Sequence, residues 1–302
     1  MLPEKYINPF TDFGFKRLFG EEANKDLLID FLNQLLPDKH QIEDLEFLKS
    51  ERLGATPSDR KAIFDLYCIT PTKERFIVEM QKAKQDFFKD RSVYYASFPI
   101  QEQAQQGDWN FKLTPVYTVG ILNFVFAEHK NDKETFLHNV QLKDQNGQIF
   151  YDKLTFIYLE LPKFTKTIDR LETHFEKWLY VFQNLPLLEK MPEKWKDKVF
   201  QKLFKVAEIA KLSKEDLFEY HQSLKYLRDM TNVIDTAKRE GLEKGEQIGL
   251  EKGEQIGLEK GEQIGEYKKA IETARNLKKL GVLTIAQISE VTNLSILEVE
   301  EL

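Results

Sequence analysis

The chain contains a single cysteine, Cys68, among 302 residues, so neither an intramolecular disulfide nor a cysteine-rich zinc site can form. No stretch reaches the roughly 18 consecutive apolar residues of a membrane-spanning helix. The first residues, MLPEKYINPF, lack the basic start and apolar core of a secretory leader, so a cytoplasmic protein with no membrane partner is expected. Positive charge is also short: 44 Lys and Arg stand against 50 Asp and Glu, a net charge of −6. That balance argues against broad nonspecific nucleic-acid binding, which rests on Lys and Arg contacts to phosphate. The five histidines (His40, His129, His138, His174 and His221) are scattered without ligand spacing, which argues against a histidine-based metal site.

Apolar residues make up 41% of the chain and aromatics 12%, enough for one large domain or two modest ones. Residues 22 to 36, EANKDLLIDFLNQLL, carry Leu27, Leu28, Phe31, Leu32 and Leu35 at helical spacing before Pro37. IEDLEFL at 42 to 48 alternates as a first strand. KAIFDLYCIT at 61 to 70 and FIVEMQKAK at 76 to 84 are apolar strands joined by a turn containing Pro71, which makes them a hairpin. Cys68 is then a small core hydrophobe. A helix follows from Asp86 to about Gln106, in which Pro99 predicts a kink. TPVYTVGILNFVF at 114 to 126 reads as a buried strand. Asn146-Gly147 predicts a tight hairpin turn before the strand LTFIYLEL at 154 to 161. The alternation of helices and strands gives an α/β layer arrangement.

From about residue 168 the pattern is helical, with Leu171, Phe175, Trp178, Leu179 and Phe182 on one stripe and Ser213 as a helix cap. Trp178 and Trp195 are expected in the core. At 241 the octapeptide GLEKGEQI begins and runs three times, placing glycine at every fourth residue from Gly241 to Gly265. Each glycine costs a helix about 1 kcal/mol relative to alanine, so a marginal helix or polar spacer is expected. The tail reads as short helices broken at Gly281 and Asn293, a packing or self-association module. The expected divisions are a core over 1–165, a helical packing region over 166–240, the repeat over 241–265 and the tail over 266–302.

The two hairpin strands share an anomaly. Asp65 interrupts one and Glu79 the other, although an unpaired carboxylate is costly to bury. Both residues are seven positions from Thr72, so a hairpin centred there sets them directly opposite one another, with Gln81 one pleat along on the same face. Two carboxylates that close need compensation. Oxygen ligands of this kind suit Mg²⁺ or Mn²⁺, and Gln81 could orient a water on such an ion. The same spacing equally suits a structural pair satisfied by Lys61, Tyr67 or the backbone.

INPFTDFGFKRLFG at 7–20, the Asp65, Glu79 and Gln81 set, RSVYYASFPIQEQ, GDWNFKLTPVYTVGILNF and LELPKF at 159–164 together resemble the PD-(D/E)XK nuclease family transposases, also called Rpn-type recombination-promoting nucleases. The resemblance runs over about residues 4 to 240. It implies a restriction-endonuclease-like core, a mixed sheet flanked by helices with a helical C-terminal region. It also implies a Mg²⁺-dependent DNA endonuclease linked to recombination or transposition. By position Asp65 and Glu79 are its metal-binding acids, and Gln81 stands where the wider superfamily usually has Lys. Lys82 falls on the opposite face if the strand is regular, so Lys84 or Lys61 would supply the missing cation. Asp12 is the candidate third acid and Lys16 a phosphate contact, while Arg91 and Tyr94 would line the DNA groove. DNA is the implied partner, and self-association through the repeat and tail is a further expectation. The alternative is a nuclease-like scaffold that binds DNA or protein without cutting.

Overall fold

The apolar runs pair into one six-stranded sheet in the computed structural model, which describes residues 4–36, 41–52, 62–104 and 110–302. The strands are β1 (Glu46–Phe47), β4 (Leu66–Ile69), β5 (Arg75–Gln81), β6 (Val116–Leu122), β8 (Ile149–Glu160) and β7 (Leu137–Lys143), in that spatial order. β2 (Glu51–Arg52) and β3 (Ala62–Ile63) form a separate two-stranded pairing. β5, β6 and β8 run parallel, while β1, β4 and β7 are antiparallel to their neighbours. The sheet is therefore mixed, as the fold reading expects. Pro37 and Lys61 lie outside the described residues.

Alternation along β5 sorts its side chains between two layers. Phe76, Val78 and Met80 join the main core with helices α1 (Asp12–Phe19), α2 (Lys25–Asn33), α4 (His174–Asn184) and α5 (Lys198–Val206). Ile77 faces the other way, toward Phe64, Tyr67 and the Tyr95 and Phe98 rings of α3 (Phe88–Gln101). Pro99 lies inside α3. The helix read at 22–36 opens as a 3-10 turn, Glu22–Asn24, and continues as α2 with Leu27, Leu28, Phe31 and Leu32 fully buried. Trp178 is also fully buried, and its indole N–H donates to Asp30 Oδ1 at 2.7 Å, which satisfies its polar end. Trp195 is buried as expected, and Cys68 likewise, its thiol pushed up to about 12 by burial.

The β7–β8 turn departs from the two-residue reading. Only Gly147 has positive φ, at 79°, and Asp144 closes the loop by accepting the Asn146 and Gln148 N–H groups, each at 2.9 Å. An aspartate able to bond the backbone two residues on competes with the tight Asn-Gly turn, and here it prevails. β8 accordingly begins at Ile149, five residues earlier than the apolar run suggests.

The chain divides into two compact units, one up to Arg228 and one from Asp229. The long helix α6 (Lys214–Leu280) begins in the first, where Ser213 Oγ accepts the Asp216 N–H at 3.0 Å as its cap. It includes the whole glycine repeat, which is helical in spite of its composition. A Cβ added at any glycine from Gly241 to Gly265 would meet nothing within 4 Å. In the second unit α7 (Ile285–Thr292) and α8 (Ile296–Glu301) pack with the end of α6 around Ala274, Ile288, Leu294 and Val299. Gly281 and Asn293 break these helices as expected, at φ of 66° and 55°. Among the described residues no helix is long and apolar enough to cross a membrane.

Candidate active site

The hairpin closes in the register that opposes the two acids. Leu66 pairs with Val78 and Tyr67 with Ile77, so the next pair outward is Asp65 with Glu79. Asp65 itself lies between β3 and β4 rather than inside a strand. Where the regular ladder stops, its side chain takes over: Asp65 Oδ2 accepts the Met80 N–H at 2.7 Å. In return the Asp65 N–H donates to Glu79 Oε1 at 3.1 Å. Gln81 Nε2 donates to Glu79 Oε2 at 3.3 Å, assembling the three residues expected to act together.

Glu79 and Gln81 are buried, and the electrostatics follow. Burial, reinforced by the Asp65 charge, pushes the Glu79 carboxyl up to about 8, against the lowering pull of its hydrogen bonds and of Arg91. Burial likewise raises Asp65, helped by the negative charge of Asp12 and opposed by the Met80 N–H, Lys16 and Lys82. The backbone bonds allowed for by the structural alternative are present, yet they leave both acids titrating high.

A cavity of about 640 Å³ opens beside Asp65, lined also by Asp12, Lys16, Arg17 and Tyr67. The start of α6 adds Asp216 and Glu219 to its wall. The TDFGFK stretch reaches this cavity through a locked turn. Thr11 Oγ1 donates to the Asn8 carbonyl at 2.7 Å and accepts the Gly14 N–H at 2.9 Å, so Thr11, not Asp12, caps α1. Gly14 is required by space: a Cβ there would lie 2.1 Å from the Asn8 carbonyl oxygen. Asp12 is thereby left exposed and forms an ion pair with Lys16 at 3.0 Å.

β5 ends at Gln81, so alternation does not extend to Lys82. Lys82 is half-buried, its pKa lowered by burial and partly restored by Asp12 and Asp65. Its Nζ sits over the Tyr226 ring at 5.6 Å. Lys84 is exposed and lines a different, smaller cavity with Asp86, Phe88 and Glu128. Arg91, in the first turn of α3, stacks over the Phe88 and Tyr95 rings at 5.3 and 5.7 Å and acts on Glu79. Its Nη1 donates to Gln85, while its buried Nη2 has no hydrogen-bond partner among the described residues. Tyr94 is partly exposed on α3 and packs edge-on against Phe98 at 5.1 Å, away from the residues lining the Asp65 cavity.

Sequence spacing missed a second cluster. His129, from the turn Ala127–His129, and His138, on β7, stack with ring centroids 4.2 Å apart beside Glu160 at the end of β8. No local motif announces it, because the fold brings the histidines together across eight residues of intervening chain.

A mixed sheet with α3 crossing between parallel strands, and an acid pair at the point where a hairpin diverges, define a restriction-endonuclease-like nuclease fold. Comparison with known families agrees: the model for the PD-(D/E)XK nuclease family transposases matches residues 9–237, and the chain belongs to that family. The family supports a nuclease-like role in recombination or transposition, with DNA as its implied substrate. No curated protein and no solved structure is significantly similar to the chain.

Proposed function

We propose that this protein is a metal-dependent DNA endonuclease that hydrolyses phosphodiester bonds by water attack. The observation that carries the reading is the interlocked pair of half-buried Asp65, which lines the cavity, and buried Glu79, whose pKa is raised by burial and by the Asp65 charge. Such a pair is relieved by a divalent cation. The oxygen-only donor set suits Mg²⁺ or Mn²⁺, held by Asp65 and Glu79 with Asp12 as the candidate third acid. A cation there would polarise a phosphoryl oxygen and make a water nucleophilic near neutral pH.

The remaining roles belong to side chains. Gln81 spends its amide N–H on Glu79, which leaves its carbonyl oxygen to accept a hydrogen bond from the attacking water and aim it. An amide is a poor base, so the water's proton passes to a phosphate oxygen of the substrate. Lys82 supplies the positive charge that Gln81 does not, and the unpaired Arg91 Nη2 is a donor for a phosphate oxygen as charge develops. We assign Lys16 as a contact to the DNA backbone, with Tyr94 and Lys84 as more distant ones. We assign self-association to the repeat helix and the C-terminal unit.

A non-cutting scaffold is the second reading, favoured by Gln81 and by the Asp216 and Glu219 wall, which repels phosphate. Thermal melting separates the two. On the nuclease reading millimolar Mg²⁺ or Mn²⁺ raises the melting temperature, because a ligand bound only by the folded state stabilises it, and Asp65→Ala abolishes the rise. An unchanged melting temperature in both ions supports the scaffold.

A further inference from the structure

Glu160 lies on the same face of the sheet as the acid pair. In the parallel register Gln81 pairs with Leu122 and Leu122 with Glu160. Glu160 thus closes β8 at the level where Gln81 closes β5, two strand spacings or about 10 Å away. It is fully buried, an expensive place for a carboxylate. Four partners surround its carboxylate. The Phe126 N–H donates to Oε1 at 2.7 Å and Lys163 Nζ approaches Oε2 at 2.7 Å. His129 Nδ1 meets Oε1 and His138 Nε2 meets Oε2, each at 3.1 Å.

We propose that His129, His138 and Glu160 form a second metal site, distinct from the acid pair and selective for Zn²⁺ or another imidazole-binding divalent ion. One ligand atom from each residue lies within 4.8 Å of the other two. Around a tetrahedral ion with bonds of about 2.0–2.1 Å, neighbouring ligand atoms are about 3.3 Å apart. The 3.1 Å contacts therefore need little movement, provided each imidazole carries its proton on the nitrogen that faces away from Glu160. Lys163 and the Phe126 N–H occupy the outer lone pairs of the carboxylate, the orienting role that surrounding groups play at metal sites.

The donor set also selects the ion. Lys163 cancels the carboxylate charge, so an oxygen-seeking ion such as Mg²⁺ gains little, whereas two imidazoles favour Zn²⁺, Co²⁺ or Ni²⁺. Both histidines line a cavity of about 520 Å³ with Val93, Leu142, Phe156 and Tyr158, which leaves room for a fourth ligand. An ion here ties together the turn after β6, the β7 strand and the end of β8. The site stands whether or not the acid pair cleaves DNA.

The test uses the full-length protein dialysed against micromolar Zn²⁺ in excess Mg²⁺, followed by metal counting, with Co²⁺ absorption as a signature of imidazole ligation. The expected result is one Zn²⁺ per chain and a visible Co²⁺ band in the wild type and in Asp65→Asn/Glu79→Gln. Both are lost in His129→Ala and in His138→Gln, whose amide N–H can donate to Glu160 and preserve the fold. Circular dichroism of the same samples checks folding. Absence of a Co²⁺ band in the wild type, or Zn²⁺ retained in both folded histidine variants, overturns the proposal.

Discussion

The Asp65 N–H donates to Glu79 Oε1 at 3.1 Å, so the main chain of one acid is bonded to the side chain of the other. Their positions are fixed by the hairpin before any cation arrives. The cost of that arrangement is readable as a pH dependence. Glu79 is raised from its ordinary 4.5 to about 8 in the folded chain, so the folded state holds a proton that the unfolded state has released across that window. Stability of the metal-free protein therefore falls as pH rises from about 5 to about 8, and the full penalty applies above it. Melting in EDTA across this range tests the point. Glu79→Gln, which cannot ionise, should flatten the curve and be more stable than wild type at high pH.

Lys82 gives a prediction in which activity and stability move apart. Its burial disfavours the charged form, so Lys82→Met should leave the melting temperature unchanged or raise it. DNA cleavage should fall by about 10²-fold, the usual cost of losing one group that stabilises developing charge. Lys84→Met, in a separate cavity, should change cleavage little. Equal losses in the two variants would mean that both act only through general attraction to DNA.

Gly14→Ala is expected to destabilise the protein by several kcal/mol or prevent folding, because the added carbon lands 2.1 Å from a backbone carbonyl that cannot yield as a side chain does. Gly20→Ala meets the tip of the Leu66 side chain at 2.8 Å, but also the Lys16 carbonyl at 3.0 Å, and should cost less. Chemical denaturation of the two variants orders them.

These residues also show what the sequence made legible. Asp65, Glu79 and Gln81 could be located by parity, because a strand has a period of two and a hairpin has a centre. The helix stripes and the breaks at Gly281 and Asn293 were readable for similarly local reasons. Parity could not place Lys82, because it holds only while the strand lasts and nothing local marks its end at Gln81. The His129, His138 and Glu160 cluster was hidden because it depends on which strands become neighbours. The Asp144 loop was hidden because its carboxylate competes with Asn-Gly for the backbone N–H groups of the turn.

The repeat helix carries its own expectation. Since an added Cβ meets nothing, Gly245→Ala, Gly249→Ala and Gly253→Ala should each stabilise the helix by about 1 kcal/mol, raising helicity by circular dichroism. If copies of the chain associate through the glycine stripe, the same substitutions lower the mass seen by light scattering. Ending the chain after Glu240 should leave the core melting as before, since the core residues of the sheet unit precede it.

The most direct measurement is nicking of supercoiled plasmid by the purified protein in Mg²⁺, in Mn²⁺ and in EDTA, beside Asp65→Ala/Glu79→Ala. The account predicts nicking that requires the metal and disappears in the double variant. Cleavage that persists in the folded double variant, or no cleavage by the wild type on any DNA form in either metal, contradicts it.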